Sequence, residues 1–224
     1  MQGSCYFPRF LAPRAESVYD LSMRVPSAAA DRWTPQVYDR WSPTYDFLIR
    51  LTLPVSEVAR ASVAKHLQAG SLLDVGCGTG TLLALARDQG LACFGIDTSS
   101  GMLGQAQRKV PGARLIQASF YRMPFPARSF DNVVETNALG IAGVDLPRVL
   151  SEMIRVCKPG GQLLLGDYAC VEPSTWIHRL IEAVGIIVGD SPQPFGRAFA
   201  ELGYAPQIEF LAWQGMYQLI KVAV

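Results

Sequence analysis

From about residue 71 onward, apolar and polar residues alternate in two registers that replace one another along the chain. Short apolar runs near 71–75, 91–96, 113–117, 130–136 and 161–167 have the length of buried strands. Between them, near 79–89, 99–110 and 145–156, apolar positions recur at helical spacing. Strand and helix in alternation predict a parallel, doubly wound α/β sheet, since parallel neighbours need a long crossover. Punctuation supports these boundaries. Gly70 ends a helical run over Val55 to Leu67, Asp145 and Pro147 suit a helix start, and Lys158-Pro159-Gly160-Gly161 suits a helix end. Two further strand-like runs, Gln207 to Trp213 and Met216 to Val224, are joined by Gln214-Gly215 and predict a closing hairpin. Trp176, Ile177, Leu180, Ile181, Val184, Ile187 and Val188 form a helical stripe, expected to pack on the sheet, with a lipid-facing helix as the alternative. Pro192, Pro194 and Gly196 then form a loop that could border a pocket.

The first 30 residues carry Pro8, Pro13 and Pro26 and predict an irregular extension. A near-duplication follows, Arg32-Trp33-Thr34-Pro35-Gln36-Val37-Tyr38-Asp39 and then Arg40-Trp41-Ser42-Pro43-Thr44-Tyr45-Asp46. Two copies are too few for a repeat architecture, which needs about three to bury a core. The aromatics of this segment either anchor an N-terminal helix or face a ligand.

The chemistry-bearing stretch is Leu72-Leu73-Asp74-Val75-Gly76-Cys77-Gly78-Thr79-Gly80, a buried strand entering a glycine-rich turn and a helix. Gly76, Gly78 and Gly80 permit a tight bend with no Cβ between backbone and ligand. The spacing differs from the dinucleotide G-x-G-x-x-G, and no P-loop Lys-Ser/Thr follows, which disfavours hydride transfer and nucleotide hydrolysis. Asp97 ends the next strand about twenty residues on, where an acid can accept hydrogen bonds from two ribose hydroxyls. Thr98-Ser99-Ser100 offers an N-cap to a helix carrying Met102. Glu135 and Asn137, and Asp167 and Tyr168, fall at the carboxyl ends of the fourth and fifth strands, where ligands of open α/β sheets gather. With His178 they are the candidate acceptor bases.

The glycine stretch resembles the first motif of the class I S-adenosylmethionine-dependent methyltransferases. Further segments match that family in order: Asp97, Met123-Pro124-Phe125-Pro126 with Ser129-Phe130-Asp131-Asn132-Val133-Val134, and Cys157-Lys158-Pro159-Gly160-Gly161 into the fifth strand, over about 95 residues. The resemblance implies a seven-stranded Rossmann-like sheet, parallel but for one antiparallel strand, with helices on both faces. It also implies S-adenosylmethionine as cofactor and S-adenosylhomocysteine as product. The cofactor-binding residues it implies are Asp74, Gly76, Cys77, Gly78, Gly80, Asp97, Thr98, Met102, Ser119, Phe120 and Asn137. Gly76, Cys77 and Gly78 are expected to supply backbone contacts and Asp97 to hold the ribose, with Met102 and Phe120 flanking the adenine. The sequence departs from the family at Ser119-Phe120, where many relatives carry Asp-Ala; the serine hydroxyl accepts a hydrogen bond without charge and the phenyl ring offers a stacking face. The frame Tyr38-x-x-Trp41-x-Pro43-x-Tyr45-Asp46 is similar to the lid of the ubiquinone/menaquinone and soluble phospholipid N-methyltransferases. That similarity makes Tyr38 and Tyr45 the candidate catalytic residues, closing over the cofactor and facing sulfonium and substrate.

The 224 residues, half of them hydrophobic, suffice for one domain over 31–224, with lid and helices at 31–69. A net charge of +1, with no run of like charges, gives no electrostatic reason for a nucleic-acid partner. Five scattered cysteines and two histidines, without metal-ligand spacing, indicate neither a disulfide framework nor a metal site. No signal peptide or membrane-spanning run is apparent, so the expected location is cytoplasmic, with peripheral membrane contact left open. The expected activity is methyl transfer to a small or lipophilic acceptor, a phospholipid amine or quinone-like ring leading. The alternatives are a natural-product methyltransferase, an enzyme that uses the cofactor's charge to steer a rearrangement, and a cofactor-binding protein without methyl transfer.

Overall fold

The computed structural model describes residues 35–141, 143–171, 174–180, 182, 191–212 and 215–224. The N-terminal extension, Trp33, Gln214 and most of the 181–190 segment lie outside the described residues. Three helices come first: α1 (Pro35–Trp41), α2 (Tyr45–Thr52) and α3 (Val55–Lys65). Then β1 (Ser71–Val75), α4 (Thr81–Asp88), β2 (Ala92–Asp97), α5 (Ser100–Lys109) and β3 (Arg114–Gln117) build one half of the sheet. The other half is β4 (Phe130–Thr136), α6 (Leu146–Val156), β5 (Cys157–Tyr168), α7 (Phe195–Glu201), β6 (Gln207–Ala212) and β7 (Tyr217–Ala223).

The seven strands run in the order β3-β2-β1-β4-β5-β7-β6. β1 to β5 are mutually parallel, and β7 pairs antiparallel with both β5 and β6. β7 is therefore the single reversed strand, and the expected hairpin joins β6 to it. Successive side chains point to opposite faces, so each central strand feeds two cores. Leu73, Val133 and Leu163 pack with Val149, Leu150 and Met153 of α6 and Phe199 of α7. Leu72, Val134 and Leu164 pack with Val63 of α3 and Leu82, Leu83 and Ala86 of α4. Leu146, Val149, Leu150, Met153 and Val156 bury one stripe of α6, and Asp145 caps its start by accepting from Arg148 N.

Local differences from the sequence expectations have identifiable causes. The helix after the glycine turn begins at Thr81 rather than Thr79, because Gly80 stands at its N-cap with φ +76°. β5 begins at Cys157, because Cys157 already pairs with Phe130 before a register shift. The Trp176 stripe does not cover the sheet over its described part: Trp176 is 74% and Leu180 58% exposed. Ile181, Val184, Ile187 and Val188 lie outside the described residues.

The chain leaves β1 toward β2 and β3 on one side and returns to β4 on the other. That reversal opens a crevice at the carboxyl ends of β1 and β4, the general binding position of open α/β sheets.

Candidate functional site

A cavity of about 310 Å³ occupies this crevice, at the low end of the size range of small-molecule sites. Of the residues implied by the sequence, Tyr38, Tyr45, Asp74, Gly76, Cys77, Gly78, Asp97, Thr98, Met102, Ser119, Phe120 and Asn137 line it. Gly80 does not. Its place is set by packing, since a Cβ there would stand 2.9 Å from the Ala106 Cβ of α5.

The glycine turn is held from within. Gly76 N and Cys77 N both donate to Ile96 O at 2.9 Å, Gly80 N donates to Cys77 O at 2.9 Å, and Gly78 N donates to Asp97 Oδ2 at 2.9 Å. The Gly76, Cys77 and Gly78 amides are thus committed to β2 and its terminal acid, which leaves their carbonyls and Cα atoms for the expected backbone contacts. The turn gives the ligand close backbone approach instead. Gly76 carries φ +74°, and a Cβ there would run into Ala138.

Asp97 is pinned by Ser99 N at 2.8 Å as well as by Gly78 N. Burial raises its carboxyl above the ordinary range, while the N–H bonds from Ser99, Gly78 and Thr98 oppose that rise. Each oxygen accepts one of these bonds and has capacity for another. Asp74 is 1% exposed, and its Oδ1 has no hydrogen-bond partner. Burial pushes its carboxyl up to about 7, with Arg60 pulling down and Asp97 pushing further up. Across the cavity wall, Asn137 takes φ +59°, rare for a residue with a Cβ, and its buried Nδ2 is without a partner. A donor and an acceptor are therefore buried at the wall unsatisfied, which costs free energy unless a ligand completes them.

Aromatic rings also line the cavity. Tyr38 and Tyr45 meet edge-to-face with ring centroids 6.3 Å apart, and Phe120 and Tyr121 do so at 4.7 Å. Ser119 Oγ accepts from Tyr121 N at 3.2 Å, which fixes the segment presenting Phe120.

The other candidate bases are placed elsewhere. Glu135 and Asp167 are buried behind the wall, at 0% and 2% exposure, holding the loop after β4. Glu135 Oε1 accepts from Ala138 N at 2.5 Å and Leu139 N at 3.3 Å. Asp167 accepts from Leu139 N (2.9 Å), Gly140 N (2.7 Å) and Tyr168 N (2.6 Å). Tyr168 packs with Val55, Ala59, Met216 and Tyr217. His178 is 4% exposed and accepts from Thr175 N at its Nδ1. None of these four lines the cavity.

Sequence reasoning missed Arg60, which reaches the cavity from α3. Its NH1 donates to Glu57 Oε1 at 2.8 Å and Ser56 Oγ at 3.3 Å, and its side chain is only 12% exposed. The signal was its position one residue past Ala59 and four past Ser56, both fully buried. Also missed were Asp39, Asp46, Thr79 and Lys109, which join the first two helices to the turn.

The fold and this cavity define a class of protein that the comparisons identify. The family model of the methyltransferase domain matches residues 73–165, and the chain resembles that family over this stretch. The chain is similar to phosphatidylethanolamine N-methyltransferase of Cereibacter sphaeroides, 38% identical over 139 residues, covering 58% of this chain and 66% of that protein. It is also similar to the ubiquinone/menaquinone biosynthesis C-methyltransferase of Geobacter sulfurreducens, 37% identical over 142 residues, covering 57% of this chain and 55% of that protein. The chain thus spans less than two thirds of either relative. Among solved structures, geranyl diphosphate C-methyltransferase from Streptomyces coelicolor A3(2), in complex with Mg²⁺, geranyl diphosphate and S-adenosylhomocysteine, superposes with a TM-score of 0.60. The two share 19% identity, with 74% of this chain and 76% of that one covered. A chain from the complex of the Haloferax volcanii Trm112 methyltransferase activator with a methyltransferase reaches a TM-score of 0.69 at 18% identity, with 83% and 96% covered.

S-adenosylmethionine fits the residues present. Asp97 stands where a ribose diol would be accepted, the unpartnered Asp74 Oδ1 suits an ammonium group, and Met102 and Phe120 offer apolar faces to a base.

Proposed function

We propose that this protein transfers a methyl group from S-adenosylmethionine to a small or lipophilic acceptor, with a phospholipid amine or a quinone-like ring as the leading classes. The observation that carries this is that a single cavity is lined both by charged groups, Asp74, Arg60 and Asp97, and by the rings of Tyr38, Tyr45, Phe120 and Tyr121. When bound, the cofactor supplies an activated methyl group on a sulfonium. The chain's own residues bind, align and exclude water.

In this reading Asp97 holds the ribose hydroxyls, Thr98 borders them, and Met102 and Phe120 flank the adenine with Ser119 near its edge. Asp74 accepts from the methionyl ammonium, and the Arg60 guanidinium neutralises the methionyl carboxylate. The electron-rich faces of Tyr38 and Tyr45 favour a methyl-bearing cation, whether sulfonium or substituted ammonium, and their closure keeps water from the reacting pair. Aromatic walls suit a lipid amine and a hydroquinone ring alike. Among the described residues no helix is long and apolar enough to cross a membrane, so a lipid acceptor would be met at the surface of a bilayer or carried from it.

The test is transfer of labelled methyl from S-adenosylmethionine into a fractionated cell extract, counting organic, aqueous and macromolecular phases against heat-killed protein. Label in the organic phase supports the lipid or quinone reading. Label confined to the aqueous phase moves the acceptor to a polar metabolite. Absence of label with cofactor bound overturns the transfer itself.

A further inference from the structure

The duplicated segment at the start of the described chain ends each copy with the same pair, Tyr38-Asp39 and Tyr45-Asp46. The structure gives the two copies one design. In each, the tyrosine lines the cavity, and the aspartate beside it binds the framework that shapes the cofactor end.

Asp39 Oδ1, on α1, accepts from Ser99 Oγ at 2.6 Å and Gly101 N at 2.7 Å. Ser99 is fully buried and caps α5 by accepting from Met102 N, and its own N–H donates to Asp97 Oδ1 at 2.8 Å. One serine therefore joins Asp39 to the candidate ribose acid. Asp46, on α2, accepts from Thr79 Oγ1 at 2.5 Å and from Lys109 Nζ at 2.6 Å. Thr79 belongs to the glycine turn, and Lys109 also donates to Thr81 Oγ1 at 2.8 Å. The approach of α1 to α5 is close enough to exclude a side chain: a Cβ on Gly101 would stand 2.9 Å from Asp39 Cα and 2.9 Å from Ser42 Oγ.

We propose that Asp39 and Asp46 are positioning residues, a pair of latches that seat the Tyr38–Tyr45 wall over the cavity and make its closure sense the ribose acid and the glycine turn. The proposal rests on the methyl-transfer reading only for what the wall closes upon. It accounts for the duplication: each Tyr-Asp unit places one ring and ties its own helix to a different part of the framework. The Asp46–Lys109 ion pair is half-exposed and worth little alone. The latch strength lies in the short bonds to Thr79, Ser99 and Gly101.

The test is hydrogen–deuterium exchange across residues 35–52 of the full chain, with and without S-adenosylhomocysteine, for the parent, Asp39→Ala, Asp39→Asn, Asp46→Ala and Gly101→Ala. Loss of either latch is expected to raise exchange over 35–52 by about 10-fold, and to speed release of S-adenosylhomocysteine by a similar factor, with protection of β1, β4 and β5 unchanged. Asp39→Asn keeps the accepting oxygen and is expected to restore protection. Gly101→Ala favours the α5 helix by propensity yet is expected to loosen residues 35–52. Unchanged exchange over 35–52 in both alanine variants at the aspartates would overturn the proposal, as would a loss of protection spread equally over the sheet. These readings need no methyl acceptor, and the comparison without ligand stands if S-adenosylhomocysteine fails to bind. Failure of the latches is therefore distinguishable from failure of the proposed reaction.

Discussion

Asp74→Asn separates the cost of the site from its use. In the ligand-free protein Asp74 is fully buried, with one oxygen unpartnered and a carboxyl raised from the ordinary 3.8 to about 7. At 1.36 kcal/mol per pH unit, ionised Asp74 costs the fold about 4 kcal/mol above pH 7. The sign follows from proton binding. The folded state holds the Asp74 proton longer than the unfolded state, so the contribution is at full value below about pH 4, declines through pH 4–7 and is gone above. Asparagine carries no such charge and keeps nearly the same shape. Urea denaturation should therefore show the variant gaining on the parent across that window, and exceeding it by about 2–4 kcal/mol at pH 8 once burial of the amide is allowed for. The same change removes the charged acceptor for the methionyl ammonium, so affinity for S-adenosylhomocysteine should fall about 10- to 150-fold, the equivalent of one charge-assisted hydrogen bond. Calorimetry at pH 6 in buffers of different ionisation enthalpy should find close to one proton released on binding to the parent and none to the variant. A variant with the parent's pH slope and affinity would refute both the buried-acid account and the assignment of Asp74 to the ammonium.

Three further outcomes are expected. Asp97→Ala should abolish detectable cofactor binding in calorimetry, because Asp97 holds Gly78 N and, in the proposed site, meets the ribose; near-normal affinity would remove it from the ribose site. Glu135→Gln should change stability by less than about 1 kcal/mol, since burial beside Asp167 raises the Glu135 carboxyl toward its neutral form and an amide keeps the oxygen that accepts from Ala138 N and Leu139 N, whereas Asp167→Ala should cost roughly 2–6 kcal/mol by orphaning Gly140 N and Tyr168 N and leaving Leu139 N only its bond to Glu135. Chemical denaturation at pH 7 compares the two, and equal losses would count against a proton held on Glu135. Gly76→Ala combines a left-handed backbone with a collision against Ala138; a loss of about 2–4 kcal/mol in denaturation and weakened cofactor binding are expected, and an unaffected variant would show that the turn is not closed as described.

The order of strands was legible because two periodicities and well-placed Gly and Pro residues agree with one another. Asp145, Pro147 and the apolar stripe of α6 each pointed to the same helix, and the structure forms it from Leu146. Where one φ angle sets the boundary, as at Gly80, periodicity ran two residues long. Of the Trp176 stripe, Trp176 and Leu180 are exposed rather than packed, because helical spacing reports one apolar face without saying what lies against it. Most cavity residues were within reach because they cluster in sequence at the ends of β1, β2 and β4. Arg60 and the latches were not, since Asp39 meets Ser99 across 60 positions and Asp46 meets Lys109 across 63. An aspartate beside a tyrosine carries no sign in the sequence of the hydroxyl it will find.

The glycine turn shows a further limit of motif reading. Glycine-rich strand-to-helix turns are associated with anions because their free amides and the helix dipole point at the ligand. Here a turn of different spacing sends its first three amides inward. Ile96 O takes the Gly76 and Cys77 amides, Asp97 takes the Gly78 amide, and a buried carboxylate at Asp74 faces the cavity. What the turn presents is close backbone approach lined by two acids and balanced by Arg60 on α3. Such a surface suits a ligand rich in hydroxyl and ammonium donors. The glycines decide how near a ligand can come. The acids at the ends of β1 and β2, through where they send the amides and where they leave lone pairs, decide which ligand it is.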